Sequence, residues 1–205
     1  RLSTDTELVK SLVQIILDGH DRRRFPWVQE DREPTEAERH AAVLASAAMI
    51  AMQRTSTKRR NESKQGQEEE VRQAFIEAGL TEAETRRVNT LTEAPAPGHF
   101  CGESMLGTRK ADFILRLWDG RLLAIECKVS NSSTNSVKRL NNDAAVKAQT
   151  WLKEFGTSQV VPAAVLSGVY KIHNLTDAQA KGLTLFWAHK MPELITWIES
   201  TRRTS

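Results

Sequence analysis

Two apolar segments separated by Asp119-Gly120 form the clearest pattern in the chain. Residues 112–118 and 121–128 are rich in branched and aromatic side chains, which favour strands. The Asp-Gly pair between them permits the positive φ of a tight turn, so the pattern predicts a β-hairpin. Because side chains alternate along a strand, Glu126 and Lys128 are expected to share one face of the hairpin.

The length of the turn decides whether Asp112 joins that face. A two-residue turn would place Asp112 opposite Cys127, on the wrong side of the sheet. A three-residue loop, with Gly120 as the left-handed residue of a bulge, would place Asp112 opposite Glu126 instead. We predict the second register, because directly opposed residues point to the same side and lie close together.

An acid on one strand, and an acid and a lysine on the next, form a set suited to phosphodiester hydrolysis. Mg²⁺ prefers oxygen ligands and is usually held by one or two carboxylates, which Asp112 and Glu126 supply. The backbone carbonyl of Cys127 is a further candidate ligand. The ammonium of Lys128 is suited to hold an attacking water and to stabilise charge on the phosphate. The alternative is that Glu126 and Lys128 are a solvated pair on a half-buried strand.

The first part of the chain has helical periodicity. Apolar residues between Leu8 and Ile16 recur at helical spacing and stop near Gly19, which predicts an amphipathic helix that packs through its apolar face. Thr35 and Glu38 have the spacing of a capping box and predict the start of another helix. The basic and aromatic residues 22–27 between them fit either a phosphate contact or a solvated loop.

A third helix is predicted over residues 61–78, with a stripe of Val71, Ala74, Phe75 and Ala78 and a stop at Gly79. Glu68 continues this stripe, so it is the acid of residues 68–70 that is expected to turn inward. A solvated acid near a helix terminus is the alternative.

The second part of the chain alternates strands and helices. Residues 81–108 are rich in glycine and proline and predict a loop. A helix is expected from about Ser136 to Gly156, strands at 160–166 and 183–187, and helices at 177–181 and 192–200. These elements predict an α/β fold with a central mixed β-sheet flanked by helices, the hairpin at its active edge, and a helical N-terminal part. We expect a helical subregion at 1–54 and a core at 55–205.

Composition limits the class of protein. The chain has 205 residues, 40% of them hydrophobic, and six prolines, enough for one packed core. The net charge of +3 is small, so a polyanion would have to bind local clusters of cations. Two cysteines make no disulfide framework, which suits a cytoplasmic protein, and the longest apolar run, 41–52, is too short to cross a membrane.

Asp112 and Glu126-Cys127-Lys128 match the motif of the PD-(D/E)XK nucleases, although Ala111 stands where the motif has proline. Longer strings at 128–132, 135–140, 165–169 and 185–189 resemble the XamI-like type II restriction endonucleases. The resemblance extends over roughly residues 55–200.

This resemblance implies a restriction-endonuclease-like core and hydrolysis of double-stranded DNA at a short sequence, leaving 5′-phosphate and 3′-hydroxyl ends. It also implies dependence on Mg²⁺, which Mn²⁺ would replace, with Glu68 as a further metal ligand. A homodimer, a cognate DNA methyltransferase and a role in phage defence are expected with it.

The expected DNA contacts are cations and amides near the hairpin and the helix that follows it. They are Arg60, Lys64, Arg109, Lys110, Ser130, Asn131, Asn135, Lys138, Arg139 and Asn142. Solvated helix charge is the alternative for Lys138 and Arg139. Two other functions stay open at this point: a nuclease of the same fold that acts on RNA or on a DNA structure, and a DNA-binding module without catalysis.

Overall fold

The computed structural model describes residues 6–19, 21–130 and 137–202, and the side chains of residues 16–18, 60 and 61 lie outside the description. Contacts within the chain divide it into two compact units, Arg1–Arg60 and Asn61–Ser205. The division into a subregion 1–54 and a core 55–205 stays a prediction.

The first unit contains α1 (Thr6–Gly19), α2 (Pro26–Gln29) and the first part of α3 (Glu36–Glu77). The predicted capping box at the start of α3 is confirmed. Thr35 N donates to Glu38 Oε2 at 2.8 Å, and Glu38 N donates to Thr35 Oγ1 at 3.3 Å. These bonds satisfy backbone donors that the first turn of a helix leaves without partners.

The predicted packing role of the apolar face of α1 is wrong for the residues that the structure describes. An amphipathic stripe predicts a buried face only if another surface covers it. In α1 the large apolar side chains are exposed: Leu8, Val9, Leu12, Val13 and Ile15.

The two helices predicted on either side of residue 54 are one helix, α3. Residues 53–65 contain no proline or glycine, and most of them are polar residues that the helical backbone tolerates. The apolar residues shift to a different side of the helix along this region, but the helix itself continues without a break. The predicted stop is confirmed, because Gly79 follows the helix with a φ of +80°.

The second unit is built around a six-stranded mixed sheet. Its strands are β1 (Thr81–Glu82), β2 (His99–Cys101), β5 (Phe113–Arg116), β6 (Leu122–Ser130), β7 (Val160–Gly168) and β8 (Thr184–Trp187), in that spatial order. The β2–β5 and β5–β6 pairs are antiparallel, and the β1–β2, β6–β7 and β7–β8 pairs are parallel. A separate antiparallel pair is formed by β3 (Ser104–Leu106) and β4 (Arg109–Ala111).

The position predicted for the hairpin is wrong, because β5 and β6 lie in the middle of the sheet and not at its edge. Two strands, β1 and β2, extend the sheet beyond β5. They come from residues 81–108, which were predicted as a loop because strands of two or three residues are too short to show alternation.

Helices cover both faces of the sheet, as predicted. Val71 and Phe75 of α3 pack on one face, together with Leu194 and Ile198 of α6 (Met191–Glu199). The other face is covered by α4 (Ala145–Phe155) and α5 (Ile172–Ala180), which contribute Trp151 and Ala178 respectively. A π-helical turn, Leu140–Ala144, leads into α4. The described part of the chain contains no helix long and apolar enough to cross a bilayer.

Candidate metal and nuclease site

The predicted three-residue turn of the hairpin is confirmed. Leu117 N donates to Arg121 O at 2.8 Å, and Gly120 has a φ of +93° and donates to Leu117 O at 3.0 Å. This turn sets the antiparallel register of β5 and β6, which runs from Phe113 opposite Ile125 to Arg116 opposite Leu122. The face that carries Glu126 and Lys128 is thereby fixed relative to β5.

At Asp112 the regular pairing ends in a bulge. Phe113 pairs with Ile125, and Asp112 N also donates to Ile125 O at 2.9 Å. Phe113 packs on the α3 face, whereas Ala111 packs on the α4 face, so side-chain alternation breaks between them. Two residues opposite one are the mark of a β-bulge, which redirects side chains and is common beside active sites. The predicted direct opposition of Asp112 and Glu126 is therefore wrong.

The bulge directs the Asp112 carboxylate to the end of β6. Its Oδ2 accepts a hydrogen bond from Cys127 N at 2.7 Å, and the side chain is only 5% exposed. The Cys127 thiol itself packs in the core on the α3 face. The backbone N–H of Cys127 thus holds the Asp112 carboxylate in place.

Glu126 and Lys128 are buried and paired. Their exposed fractions are 0% and 9%, and Lys128 Nζ lies 2.6 Å from Glu126 Oε2. Tyr170 Oη donates to Lys128 O at 2.7 Å and ties down the backbone of the motif. This burial rules out the alternative of a solvated pair on a half-buried strand.

The helix after the hairpin supplies two further charged groups that the sequence reasoning did not assign to the site. Lys147 Nζ lies 2.8 Å from Glu126 Oε1, and Asp143 Oδ2 lies 2.8 Å from Lys128 Nζ. Lys147 Nζ and Asp143 Oδ1 are 4.0 Å apart, so the four groups form a closed ring of alternating charge. Lys147 also donates to the carbonyl of Lys110 at 3.0 Å.

A signal for Asp143 and Lys147 was present in the sequence, since residues four apart lie on one side of a helix. It was not decisive, because such pairs are common on solvated helix surfaces. Asp143 lies in the π-helical turn Leu140–Ala144, a feature often found at functional sites.

A second cluster of charge surrounds Asp112. Lys64 of α3 places its Nζ 2.9 Å from Glu68 Oε1, 3.2 Å from Asp112 Oδ1 and 3.9 Å from Glu103 Oε2. Glu68 is 26% exposed and Glu69 is 69% exposed, which agrees with the prediction that Glu68 turns inward. The preceding Gln67 is buried and donates to Val165 O at 3.1 Å, which fastens α3 to strand β7.

Burial and neighbouring charges together raise the pKa values of Glu126, Cys127 and Lys128. Burial raises the pKa of Glu126, the Lys128 ammonium opposes this rise, and the charge of Asp112 adds to it. Burial lowers the pKa of Lys128, but Glu126 and Asp143 outweigh it and the pKa is raised. Burial also raises the pKa of the Cys127 thiol, which stays protonated at neutral pH. Lys128 is therefore a cation in this site.

The carboxylates fit a hard divalent cation. Asp112, Glu126 and Glu68 offer oxygen ligands, and the Lys64 ammonium already stands as a cation between Glu68 and Asp112. In the described ranges no three His, Cys, Asp or Glu side chains are close enough to hold a metal together. Mg²⁺ does not require three, because one or two carboxylates with waters and substrate oxygens satisfy it.

The residues predicted to contact DNA differ in how exposed they are. Arg109, Lys110, Lys138 and Asn142 are exposed, and Lys110 pairs with Glu103 at 2.8 Å. The remaining predicted contacts are less accessible or lie outside the described residues.

Arg139 is half-buried and donates to Val129 O, and Ser130 is fully buried, which leaves its side chain no surface for DNA. Asn131, Asn135 and the side chain of Arg60 lie outside the described residues.

Comparison with known proteins adds a relationship that the geometry alone does not provide. The family model described as XamI restriction endonuclease matches residues 1–187. Type II restriction enzyme XamI from Xanthomonas campestris pv. amaranthicola is 52% identical over 165 residues, which are 80% of this chain and 60% of that protein. The chain thus covers 60% of the length of this relative.

Among solved structures, protein VC1899 from Vibrio cholerae aligns with 54% of this chain and 30% of its own, at 18% identity and a TM-score of 0.37. This is a weak likeness. The match over residues 1–187 and the 52% identity are sufficient for the assignment: the chain belongs to the XamI restriction endonuclease family.

Proposed function

We propose that this chain carries the catalytic site of a type II restriction endonuclease, which hydrolyses double-stranded DNA at a short specific sequence. The cofactor is Mg²⁺, which Mn²⁺ replaces, and the products have 5′-phosphate and 3′-hydroxyl ends. Membership of the family supports the class of reaction. The cofactor and the products are proposals from the chemistry of the site.

The observation that carries the proposal is the burial of Glu126 and Lys128 beside Asp112 in the middle of the sheet. Removing a carboxylate and an ammonium from water costs several kcal/mol per ion, and pairing does not always repay it. If the position were purely structural, two apolar side chains would often be at least as stable there. Charged groups held in such surroundings are typical of functional sites.

Asp112 and Glu126, with the carbonyl of Cys127, would hold the metal. Glu68 is proposed as a further ligand, and its side chain would have to move closer to join them. When bound, the metal would supply a Lewis acid that polarises a phosphoryl oxygen and makes a nearby water more acidic. Cys127 N holds one oxygen of Asp112, which leaves its other oxygen free to bind a cation once Lys64 moves. Lys128 stays protonated and donates to the attacking water or to the phosphate oxygens.

The wider assembly follows from the proposed reaction. A palindromic DNA sequence has twofold symmetry, so we propose a homodimer in which each subunit cuts one DNA strand. A cognate DNA methyltransferase would protect the host sequence in a restriction-modification system. The reducing cytoplasm suits the two free, buried cysteines Cys101 and Cys127.

Cleavage of plasmid DNA tests the proposal. The chain is expected to linearise or fragment plasmid with Mg²⁺ and not with a chelator, and sequencing of the ends should give one short site. Ends at many unrelated sequences would contradict a restriction function, and cleavage of RNA alone would favour an RNA-directed nuclease.

The Lys128→Met variant tests the assigned role of the lysine. It should lower the rate of cleavage by about 100-fold or more, since a charge that stabilises the transition state is lost, and should retain DNA binding. Lys153→Met removes an equal charge from an exposed position on α4 and should cut at the normal rate. Undiminished cleavage by Lys128→Met would contradict the mechanism.

A further inference from the structure

The Lys64 ammonium lies among three acidic side chains. Its Nζ lies 2.9 Å from Glu68 Oε1 and 3.2 Å from Asp112 Oδ1, with Glu103 Oε2 at 3.9 Å. Glu68 and Asp112 are two of the carboxylates proposed to bind the divalent metal. An ammonium donates hydrogen bonds and offers no ligand, so a metal bound to these oxygens would have to displace it.

Lys64 and Asp112 differ in how firmly the structure holds them. Asp112 is 5% exposed and is fixed through its second oxygen by Cys127 N at 2.7 Å. The Lys64 side chain is 44% exposed and has a flexible four-carbon stem. The ammonium can therefore leave by side-chain rotation, while the carboxylate keeps its position.

The other two lysines of the site are poor candidates for such an exchange. The side chains of Lys128 and Lys147, taken without their backbone, are 11% and 20% exposed, and both contact the fully buried carboxylate of Glu126. Removing either ammonium would leave a buried charge with one partner fewer, which is strongly unfavourable. Lys64 is the most exposed of the three.

We infer that Lys64 holds the metal position in the metal-free protein, and that a divalent cation displaces its ammonium, which then binds a phosphate of the DNA. The inference rests on the proposed nuclease function for the identity of the metal and of the polyanion. Once a metal neutralises Asp112 and Glu68, Lys64 loses its partners, and a phosphate becomes the nearest suitable anion. Metal binding and DNA binding are thereby linked through one side chain.

Mn²⁺ binding to the full chain without DNA provides the first test, measured by titration with electron paramagnetic resonance. Lys64→Met removes the competing cation and should tighten Mn²⁺ binding by about fivefold or more, the scale expected for loss of a partly exposed ion pair. Lys181→Met, which removes an equal charge beyond the end of α5, should bind Mn²⁺ as the wild type does. Lys64→Gln provides a second neutral variant, and Lys64→Arg, which keeps the charge, should stay close to the wild type.

DNA binding provides the second test, with Ca²⁺ in place of Mg²⁺ and with chelator in a parallel series. Lys64→Met should weaken binding of a DNA duplex several-fold in Ca²⁺ and leave it unchanged in chelator, because only the displaced ammonium reaches the phosphate. An equal loss in both series would overturn the inference.

Unchanged or weaker Mn²⁺ binding by folded Lys64→Met and Lys64→Gln would also overturn the inference and would leave the nuclease proposal intact. Tighter Mn²⁺ binding by these variants in a chain that cuts no plasmid would support the placement of Lys64 and count against the nuclease proposal.

Discussion

Gly168 determines how closely β7 approaches the end of the motif strand. It pairs with Ser130, has a φ of +98°, and a Cβ at this position would lie 2.0 Å from the carbonyl oxygen of Ser130. A side chain here would meet both an unfavourable backbone conformation and a backbone atom that cannot move aside. The position therefore requires glycine for two independent reasons.

We expect Gly168→Ala to lower the free energy of unfolding by roughly 2 kcal/mol or more, measured by urea denaturation. Gly156→Ala is the matched control, because Gly156 has a φ of +86° but no atom within 4 Å of its Cβ position. The control should show the conformational cost alone, and so the smaller loss. Equal losses in the two variants would show that the contact with Ser130 is relieved without cost.

At the scale of the element, α3 begins with a capped N-terminus, and a later part of the same helix contributes side chains to the site. The start is held by Thr35 and by Arg32, whose guanidinium donates to Glu38. Thirty residues later the same helix presents Gln67 and Glu68 to the sheet and to the metal position.

Glu38 gives this capped start a measurable dependence on pH. The Arg32 guanidinium, and then the backbone N–H of Thr35, lower the pKa of Glu38 from 4.5 to about 2. A lowered pKa means that the interaction is present above pH 4.5 and is lost as the pH falls toward 2.

Carboxyl NMR titration should give that low pKa in the wild type, and Arg32→Met should raise it toward 4.5. Arg39→Met, from the first turns of the same helix, should leave it unchanged. A Glu38 that titrates near 4.5 in the wild type would contradict the observed pairing.

The π-helical turn before α4 is the second element that shapes the site. It contains Asp143, which contacts Lys128, and Asn141, which is buried. The wider turn changes the direction in which side chains leave the helix, so a pattern based on 3.6 residues per turn misplaces them. Asn141, a polar residue, therefore lies inside the protein.

At the scale of the whole molecule, the weak net charge of +3 means that local cations must supply DNA affinity. Lys138 is exposed and lies in the helix that follows the motif strand. A lysine that contacts phosphate contributes to affinity without reading sequence, and its contribution falls as salt rises.

Binding should be measured over a range of salt in the Lys128→Met background, in which cleavage is expected to be slow. Lys138→Ala should reduce the slope of log K against log salt by about 1 and weaken all sequences alike. The exposed Lys153 of α4 provides the control, and Lys153→Ala should leave the slope unchanged. A loss of affinity for one sequence only would show that Lys138 contacts a base instead.

The sequence by itself determined the features that depend on neighbours along the chain. The β-hairpin, its three-residue turn, the shared face of Glu126 and Lys128, and the capping box at Thr35 follow from backbone periodicity and local hydrogen bonding. The inward turn of Glu68 was likewise predictable from helical spacing.

Only the tertiary structure decided which charges meet. The bulge at Asp112 joins residues 15 positions apart. Lys147 and Glu126 are 21 positions apart, and Lys64 and Asp112 are 48 apart. Such contacts depend on how helices pack on the sheet, and neither propensity nor spacing along the chain encodes that packing. The motif was therefore readable from the sequence, whereas the cations that control its carboxylates were not.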